Sequence, residues 1–196
     1  MLENLKLYRY VEYIGVPKEI KNSEGRVGLR PIDVKKLTEL YKKVIVETGA
    51  GLKCNYSDDD YKKAGAIIVS TPKEVYEKSD FIVKVKEPQE SEYQYLDNDK
   101  SVFCYFHFAS NKKLEETRLT CDYLPIPYEE IVINNETPLL KPMSEIAGKL
   151  AAQKGAELLA NAGKLIGGAT GINSANVLVI GGGVAGSNAA KVSKAL

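Results

Sequence analysis

The sequence predicts an α/β protein in which a mostly parallel sheet is followed by a linking helix and the start of a second α/β unit. Three observations carry that reading. Short runs rich in Val and Ile alternate with amphipathic stretches along residues 11–118, the pattern of strands joined by crossover helices. Residues 143–162 form the longest helical stretch. Beyond a glycine-rich connector at residues 163–174, the run Asn176-Val-Leu-Val-Ile180 feeds Gly181-Gly-Gly183-Val-Ala-Gly186, and the helix-forming Ser187-Asn-Ala-Ala-Lys191 follows. A strand, a G-x-G-x-x-G turn and a helix, in that order, open a Rossmann dinucleotide-binding unit. A boundary near residue 142 separates a substrate domain, residues 1–142, from a linker helix and first βα unit, residues 143–196.

Each element has a local reason. Val11-Glu-Tyr-Ile-Gly-Val16 is a short strand that Pro17 helps to end. A polar loop at residues 18–30 leads to Pro31, which suits the first turn of a helix. Ile32, Leu37, Leu40 and Tyr41 are expected on the apolar face of that helix. Val44-Ile-Val46 is the next strand, closed by Thr48-Gly-Ala-Gly51. Ser57 is the expected N-cap of a helix whose first turn carries three aspartates, placed to suit the helix dipole. Ala66-Ile-Ile-Val69 is a strand, and Thr71-Pro72 opens a helix running through Lys78. Residues 81–85 and 101–108 are strands, with a charged helix near residues 112–118. Pro125, Pro127 and Pro138 then break the pattern, leaving one short strand and a loop. Ser144 is the expected N-cap of the long helix, in which Ala147, Ala151 and Gly155, and again Gly148, Ala152 and Ala156, recur every fourth position and favour close packing.

Bulk properties narrow the function. The length of 196 residues suits one to two domains, and an apolar share of 44% with 27% charged is that of a globular protein with a real core. A net charge of +1 gives no electrostatic case for nucleic acid or an acidic membrane surface. Cys54, Cys104 and Cys121 are odd in number and widely spaced, which reads as reduced thiols in a cytosolic protein. With a single histidine, no metal site is assigned. The first ten residues interleave charge and lack an apolar core, so they do not read as a signal peptide. No apolar run approaches the roughly 18 residues that a membrane span needs. A cytoplasmic location is expected.

Ligands of open parallel sheets bind beyond the carboxyl ends of the strands. Arg26 follows the first strand, Lys86 ends the strand at residues 81–85, and His107 lies near the end of the strand at residues 101–108. Period-two alternation puts Tyr105 and His107 on one face and Cys104 and Phe106 on the other. Each has a plain structural reading: a solvated loop arginine, a solubilising lysine, a hydrogen-bonded core histidine. Lys84 is read as structural. As a group they form a coherent set. A guanidinium fork holds a carboxylate, an ammonium polarises a carbonyl or imine carbon, and an imidazole moves protons near neutral pH. Beside a nicotinamide site, that chemistry oxidises a small amino acid or hydroxy acid. Gly181 would allow the tight turn, Gly183 the approach of a pyrophosphate, and Gly186 close helix packing. Only ten residues follow Gly186, so the acidic residue expected about 20 positions on, and the return strand, are not part of this sequence.

The same residues carry a strong resemblance to the alanine dehydrogenases. The matching stretches are Ile14-Gly-Val-Pro-Lys-Glu-Ile-Lys-Asn22 running to Arg26-Val-Gly-Leu29, Val46-Glu-Thr-Gly-Ala-Gly-Leu52, Val83-Lys-Val-Lys-Glu-Pro88, Tyr105-Phe-His-Phe-Ala109, Leu139-Leu-Lys-Pro-Met-Ser-Glu-Ile-Ala-Gly148 and the loop at residues 181–186. The resemblance implies NAD-dependent interconversion of L-alanine with pyruvate and ammonia. It implies that Arg26 grips the substrate carboxylate, Lys86 binds and polarises the pyruvate carbonyl, His107 is the acid/base and Tyr105 lines the pocket. It also implies that Ser144 and Gly181, Gly183, Val184, Ala185 and Gly186 contact NAD, and that a full-length form is a homo-oligomer, in this family a hexamer. The nucleotide-binding part of proton-pumping transhydrogenase is similar too, but lacks the second lysine and the later histidine that stand here as Lys86 and His107. Family chains continue well beyond residue 196, so a non-catalytic fragment that binds or assembles without turnover is the alternative expectation. The segment Thr120-Cys-Asp-Tyr-Leu-Pro-Ile-Pro-Tyr128 departs from the family's smoother strand.

Overall fold

A computed structural model describes residues 11–40 and 42–196. The N-terminal reading of Met1 to Tyr10 and the helix position of Tyr41 lie outside the described residues. The chain divides into two compact units, Met1–Glu130 and Ile131–Leu196.

Among the described residues the first unit holds a six-stranded sheet in which every pairing is parallel. Its strands are β1 (Tyr13–Val16), β2 (Lys43–Glu47), β3 (Ile67–Val69), β4 (Phe81–Lys86), β5 (Ser101–Tyr105) and β6 (Leu124–Pro127). They lie in the order β3-β2-β1-β4-β5-β6. From β1 the chain runs outward through β2 and β3, then returns to place β4 on the other side of β1. The crevice beyond the carboxyl ends of β1 and β4 is therefore the topological switch point, where doubly wound sheets bind ligands.

The strands read as near-continuous β-branched runs because both faces of the sheet are covered. On one face Val44 and Val46 of β2 pack with Val34 of α1 (Pro31–Glu39) and Tyr61 of α2 (Asp58–Lys63). On the other, Ile45 and Ile82 pack with Val75 and Tyr76 of α3 (Pro72–Glu77) and Leu114 of α4 (Lys112–Cys121). Alternation along β2 thus feeds two cores, each fully buried Val or Ile contributing about 1.5–3 kcal/mol. Ser57 and Thr71 cap α2 and α3, each hydroxyl accepting from the backbone N–H three residues on, and each cap is worth about 1 kcal/mol. The edge strand β6 carries Pro125 and Pro127, tolerable where an N–H faces outward and useful for blunting the edge.

Four local expectations are corrected. On α1 the fully buried residue is Val34, with Leu37 packed against the core, while Ile32 and Leu40 are exposed. An inward stripe spaced three apart points the intervening residues away. β5 stops at Tyr105, and His107 adopts a left-handed backbone at φ 53°, ψ 44°. The last helices also differ. α5 spans Lys141–Asn161 with Leu140 as its N-cap residue, so Ser144 is an interior first-turn residue whose N–H donates to the Leu140 carbonyl at 3.1 Å. Pro142 falls in the first turn, where its missing N–H costs nothing. Residues 176–180 form no ladder with any described residue, and Leu178 and Ile180 are exposed. A β-branched run becomes a strand only when a neighbour takes its N–H and C=O groups.

In the second unit α5 packs on α6 (Val184–Ala195). A Cβ added at Gly148 would stand 2.1 Å from the Ala185 carbonyl oxygen, so the row Gly148, Ala152 and Ala156 serves close helix approach, whereas the expected second row, Ala147, Ala151 and Gly155, is exposed. Among the described residues no helix is long and apolar enough to cross a membrane.

Candidate functional site

The switch point gathers a loop, two strand ends and a short turn. The loop after β1 carries Arg26 and is pinned from three directions. Lys53 Nζ donates to the Glu24 carbonyl at 2.9 Å, Cys54 Sγ to the Gly25 carbonyl at 3.2 Å, and the Tyr61 hydroxyl to the Leu29 carbonyl at 2.8 Å. Glu24 holds Arg26 with three bonds: the guanidinium donates to its carboxylate at 2.9 and 2.6 Å and the Arg26 N–H at 2.8 Å. Those charge-assisted bonds pull the Glu24 carboxyl down to about 2 and push Arg26 up. Arg26 is oriented in advance, half exposed towards solvent, and a substrate carboxylate would share its fork with Glu24.

Arg26, Cys54, Tyr56, Val85, Tyr105 and Tyr128 are among the residues around an open cavity of about 330 Å³. Lys86 follows Val85 and pairs in register with Tyr105 across β4 and β5. The His107 ring stacks on Tyr105, centroids 6.2 Å apart at 11°. Tyr128 meets Tyr105 edge-on at 4.8 Å, and burial pushes its phenol up, keeping it neutral. Burial likewise raises Tyr105, with Arg26 opposing. Arg26 and Tyr105 therefore share one cavity, and Lys86 and His107 each flank Tyr105.

Three carboxylates at this edge were missed as site residues by sequence reasoning. Glu129 accepts the Phe106 N–H at 3.3 Å and the His107 N–H at 2.7 Å, and its Oε1 lies 3.8 Å from His107 Nδ1. One side chain thus stabilises the left-handed turn and sets a carboxylate beside the ring that the turn presents. A non-glycine residue in that region is uncommon, though histidine is enriched there, and such positions cluster at functional sites. Glu24 is the second and Glu19, on the β1 side of the crevice, is the third. The available signal was three carboxylates next to strand ends in a parallel sheet. The partner of Glu24 is two residues away, but those of Glu129 and Glu19, 22 and up to 67 positions away, could not be read locally.

The second unit holds the glycine turn. Gly181 has φ +104°, which an L side chain rarely adopts. A Cβ at Gly186 would stand 1.9 Å from the Gly181 carbonyl oxygen, so only glycine lets α6 start this close to the turn. Nothing lies within 4 Å of the position a Cβ would take at Gly183, which opens the N-terminus of the 12-residue α6. That open backbone, with the first N–H groups of a helix behind it, fits a pyrophosphate. Ser144 lies in the first turn of α5. Among the described residues no group of His, Cys, Asp and Glu could hold a metal ion.

Comparison with known proteins gives the family of the chain. Residues 15–147 match the family model described as alanine dehydrogenase/PNT, N-terminal domain, and residues 147–196 match alanine dehydrogenase/PNT, C-terminal domain. Alanine dehydrogenase 2 of Staphylococcus aureus strain Mu50 is 45% identical over 188 residues, covering 93% of this chain and 50% of the relative; the USA300 protein matches equally. A solved L-alanine dehydrogenase superposes with a TM-score of 0.82 at 41% identity, over 93% of this chain and 52% of its own. A solved transhydrogenase from Sinorhizobium meliloti superposes at 0.74 with 27% identity, over 94% of this chain and 54% of its own. The chain spans about half the length of the curated relatives it matches. On the family match over most of its length and on the shared parallel sheet, the chain belongs to the alanine dehydrogenase/PNT family.

Proposed function

We propose that this chain supplies the substrate pocket and the pyrophosphate turn of an NAD-dependent dehydrogenase that interconverts L-alanine with pyruvate and ammonia. One observation carries the reading: Arg26, Lys86, Tyr105 and His107 stand at the carboxyl edge of β1, β4 and β5, around or beside one cavity at the switch point. The relatives named alanine dehydrogenase, at 45% and 41% identity, favour it over the transhydrogenase at 27%. Three free cysteines suit a reducing, cytoplasmic setting, and the family resemblance supports a homo-oligomer.

Gly181, Gly183 and Gly186, with the N–H groups of Val184 and Ala185, would hold the pyrophosphate, and Ser144 would add a hydroxyl contact. When bound, NAD would supply the hydride acceptor or donor for the change at the alanine Cα. The chain's own groups do the rest. Arg26 fixes the carboxylate and so the orientation of the reacting carbon. Lys86 places an ammonium against the C2 oxygen of pyruvate, stabilising charge that builds there in the transition state. His107 takes a proton from the water that adds to the imine and returns it as ammonia leaves. Tyr105 and Tyr128 wall one side of the pocket with neutral rings and add no competing charge beside Arg26 and Lys86.

The test combines binding with turnover. Pyruvate titrated into the ¹⁵N-labelled chain should shift the amides around Arg26, Lys86 and His107. The chain joined to the second half of the Staphylococcus aureus enzyme should form NADH from L-alanine. Lys86→Ala should slow that turnover about 100-fold, roughly 3 kcal/mol of transition-state stabilisation. Unmoved amides, or normal turnover without Lys86, would reject the reading.

A further inference from the structure

The strand end that carries Lys86 is poorly supported by the sheet. β1 pairs with β4 only at Ile14–Phe81 and Gly15–Ile82, and β4 continues to Lys86 with no β1 residue beside it. On the other side the β4–β5 ladder breaks between Val83 and Lys86, where three steps along β4 answer two along β5. The Val85 and Lys86 N–H groups therefore turn to the Glu19 carboxylate. Val85 donates to Oε1 at 2.6 Å and Lys86 to Oε2 at 3.4 Å. Glu19 belongs to the same loop as Arg26, so one carboxylate ties the arginine's loop to the lysine's strand.

That carboxylate is buried, and an unpaired buried anion is costly. Its counter-charge is Lys84, whose side chain has no exposed surface and whose Nζ lies 3.9 Å from Glu19 and 2.7 Å from Glu92. Glu92 also accepts from the Tyr76 hydroxyl at 3.0 Å and the Gln89 N–H at 2.8 Å, which anchors the ammonium to α3 and the β4–β5 connection. A buried network of this kind is weak evidence for stability and better evidence for specifying a geometry.

We infer that Glu19, held by the buried Lys84, is a positioning residue that fixes the Lys86 strand end against the Arg26 loop and so sets the spacing of the two groups that grip the substrate. This rests on the pyruvate site proposed above. Glu19 touches no substrate; it acts through two backbone N–H groups. Glu19→Gln keeps the size but turns an NH₂ towards one of those donors and towards the Lys84 ammonium. Glu19→Asp keeps the charge beside Lys84 and is one methylene too short to reach both amides.

The experiment measures two things on the ¹⁵N-labelled chain and on both variants: hydrogen exchange of the Val85 amide against that of Val102 in mid β5, and pyruvate affinity by chemical-shift titration. The expected result is at least tenfold faster exchange at Val85 with Val102 unchanged, and at least tenfold weaker pyruvate binding, milder in Glu19→Asp than in Glu19→Gln. The aspartate variant keeps the test decisive if the glutamine variant fails to fold. A variant that exchanges Val85 at the normal rate, or binds pyruvate normally, overturns the positioning role while leaving the pyruvate site intact. A parent chain that binds no pyruvate overturns both; a Val85 amide that then still loosens in the variants shows that it was the substrate reading that failed.

Discussion

Gly28 offers a clean test of how closely the Arg26 loop must lie on the sheet. Its backbone rests against β4, and a Cβ built there would stand 2.5 Å from the Val83 carbonyl oxygen, 2.9 Å from its carbon and 3.3 Å from Lys84 Cα. The first contact is about 0.9 Å short of the 3.4 Å at which ordinary contact begins. All three neighbours are backbone, so no rotamer change relieves them and the loop itself must lift. Overpacking of this kind costs about 1–3 kcal/mol, against a gain of about 0.4–1 kcal/mol from stiffening the unfolded chain. Gly28→Ala should therefore lower stability by about 1–2 kcal/mol. Arg26 lies two residues away, so lifting the loop also moves the guanidinium that would grip the substrate carboxylate, and pyruvate affinity should fall along with stability. Two other glycines frame the result. Gly15→Ala meets the side chains of Ser79, Ile82 and Val75 at 2.7–2.8 Å beneath the sheet, so it should cost stability while leaving affinity of the folded protein unchanged. Gly25→Ala meets only Lys53 atoms at 3.8 Å and should be neutral in both. The assays are guanidinium unfolding, read as the midpoint at constant slope, and pyruvate titration. A Gly28→Ala variant with both values unchanged would refute the argument that loop and strand are in fixed backbone contact.

Two further outcomes follow from the same geometry. The Glu24 carboxyl is held down to about 2 by Arg26, so its contribution is present above the unfolded value near 4.3–4.5 and fades as pH falls towards 2; because Arg26 is half exposed, about 1 kcal/mol is expected, and Glu24→Gln should flatten the acid limb of stability between pH 4.5 and 2 in urea unfolding while matching the parent in slope at pH 6–8. In the second unit Gly186→Ala puts a Cβ 1.9 Å from the Gly181 carbonyl oxygen, so calorimetric titration with NADH should show affinity reduced at least tenfold, whereas Gly155→Ala, with nothing within 4 Å, should bind as the parent does.

The parts of this protein legible in its sequence are those whose cause is local. Val44, Ile45 and Val46 read as a strand because consecutive β-branched residues suit a sheet covered on both faces, Ser57 reads as a cap because its partner lies three residues ahead, and Thr71-Pro72 reads as a helix start because proline suits the first turn. The placement of Arg26, Lys86 and His107 at one edge was legible because strand ends in a parallel sheet face one way. The Ser144 cap and the face of α1 were local misreadings, but three other misses share one feature: the deciding partner is not local. Phe106-His-Phe108 alternates as a strand should, yet Glu129, 22 residues on, turns it into a left-handed bend. Asn176 to Ile180 has strand composition and no described strand beside it. Glu19 looks like any loop glutamate until β4 arrives 66 residues later with two N–H groups the ladder does not take. In each case a backbone donor or acceptor must be satisfied, and what satisfies it is fixed by topology. The crossover that returns β4 to the side of β1 brings the Arg26 loop beside Lys86, and it also leaves the end of β4 without a β1 partner, so the juxtaposition of the two side chains and the need for the Glu19 tether arise from the same strand order.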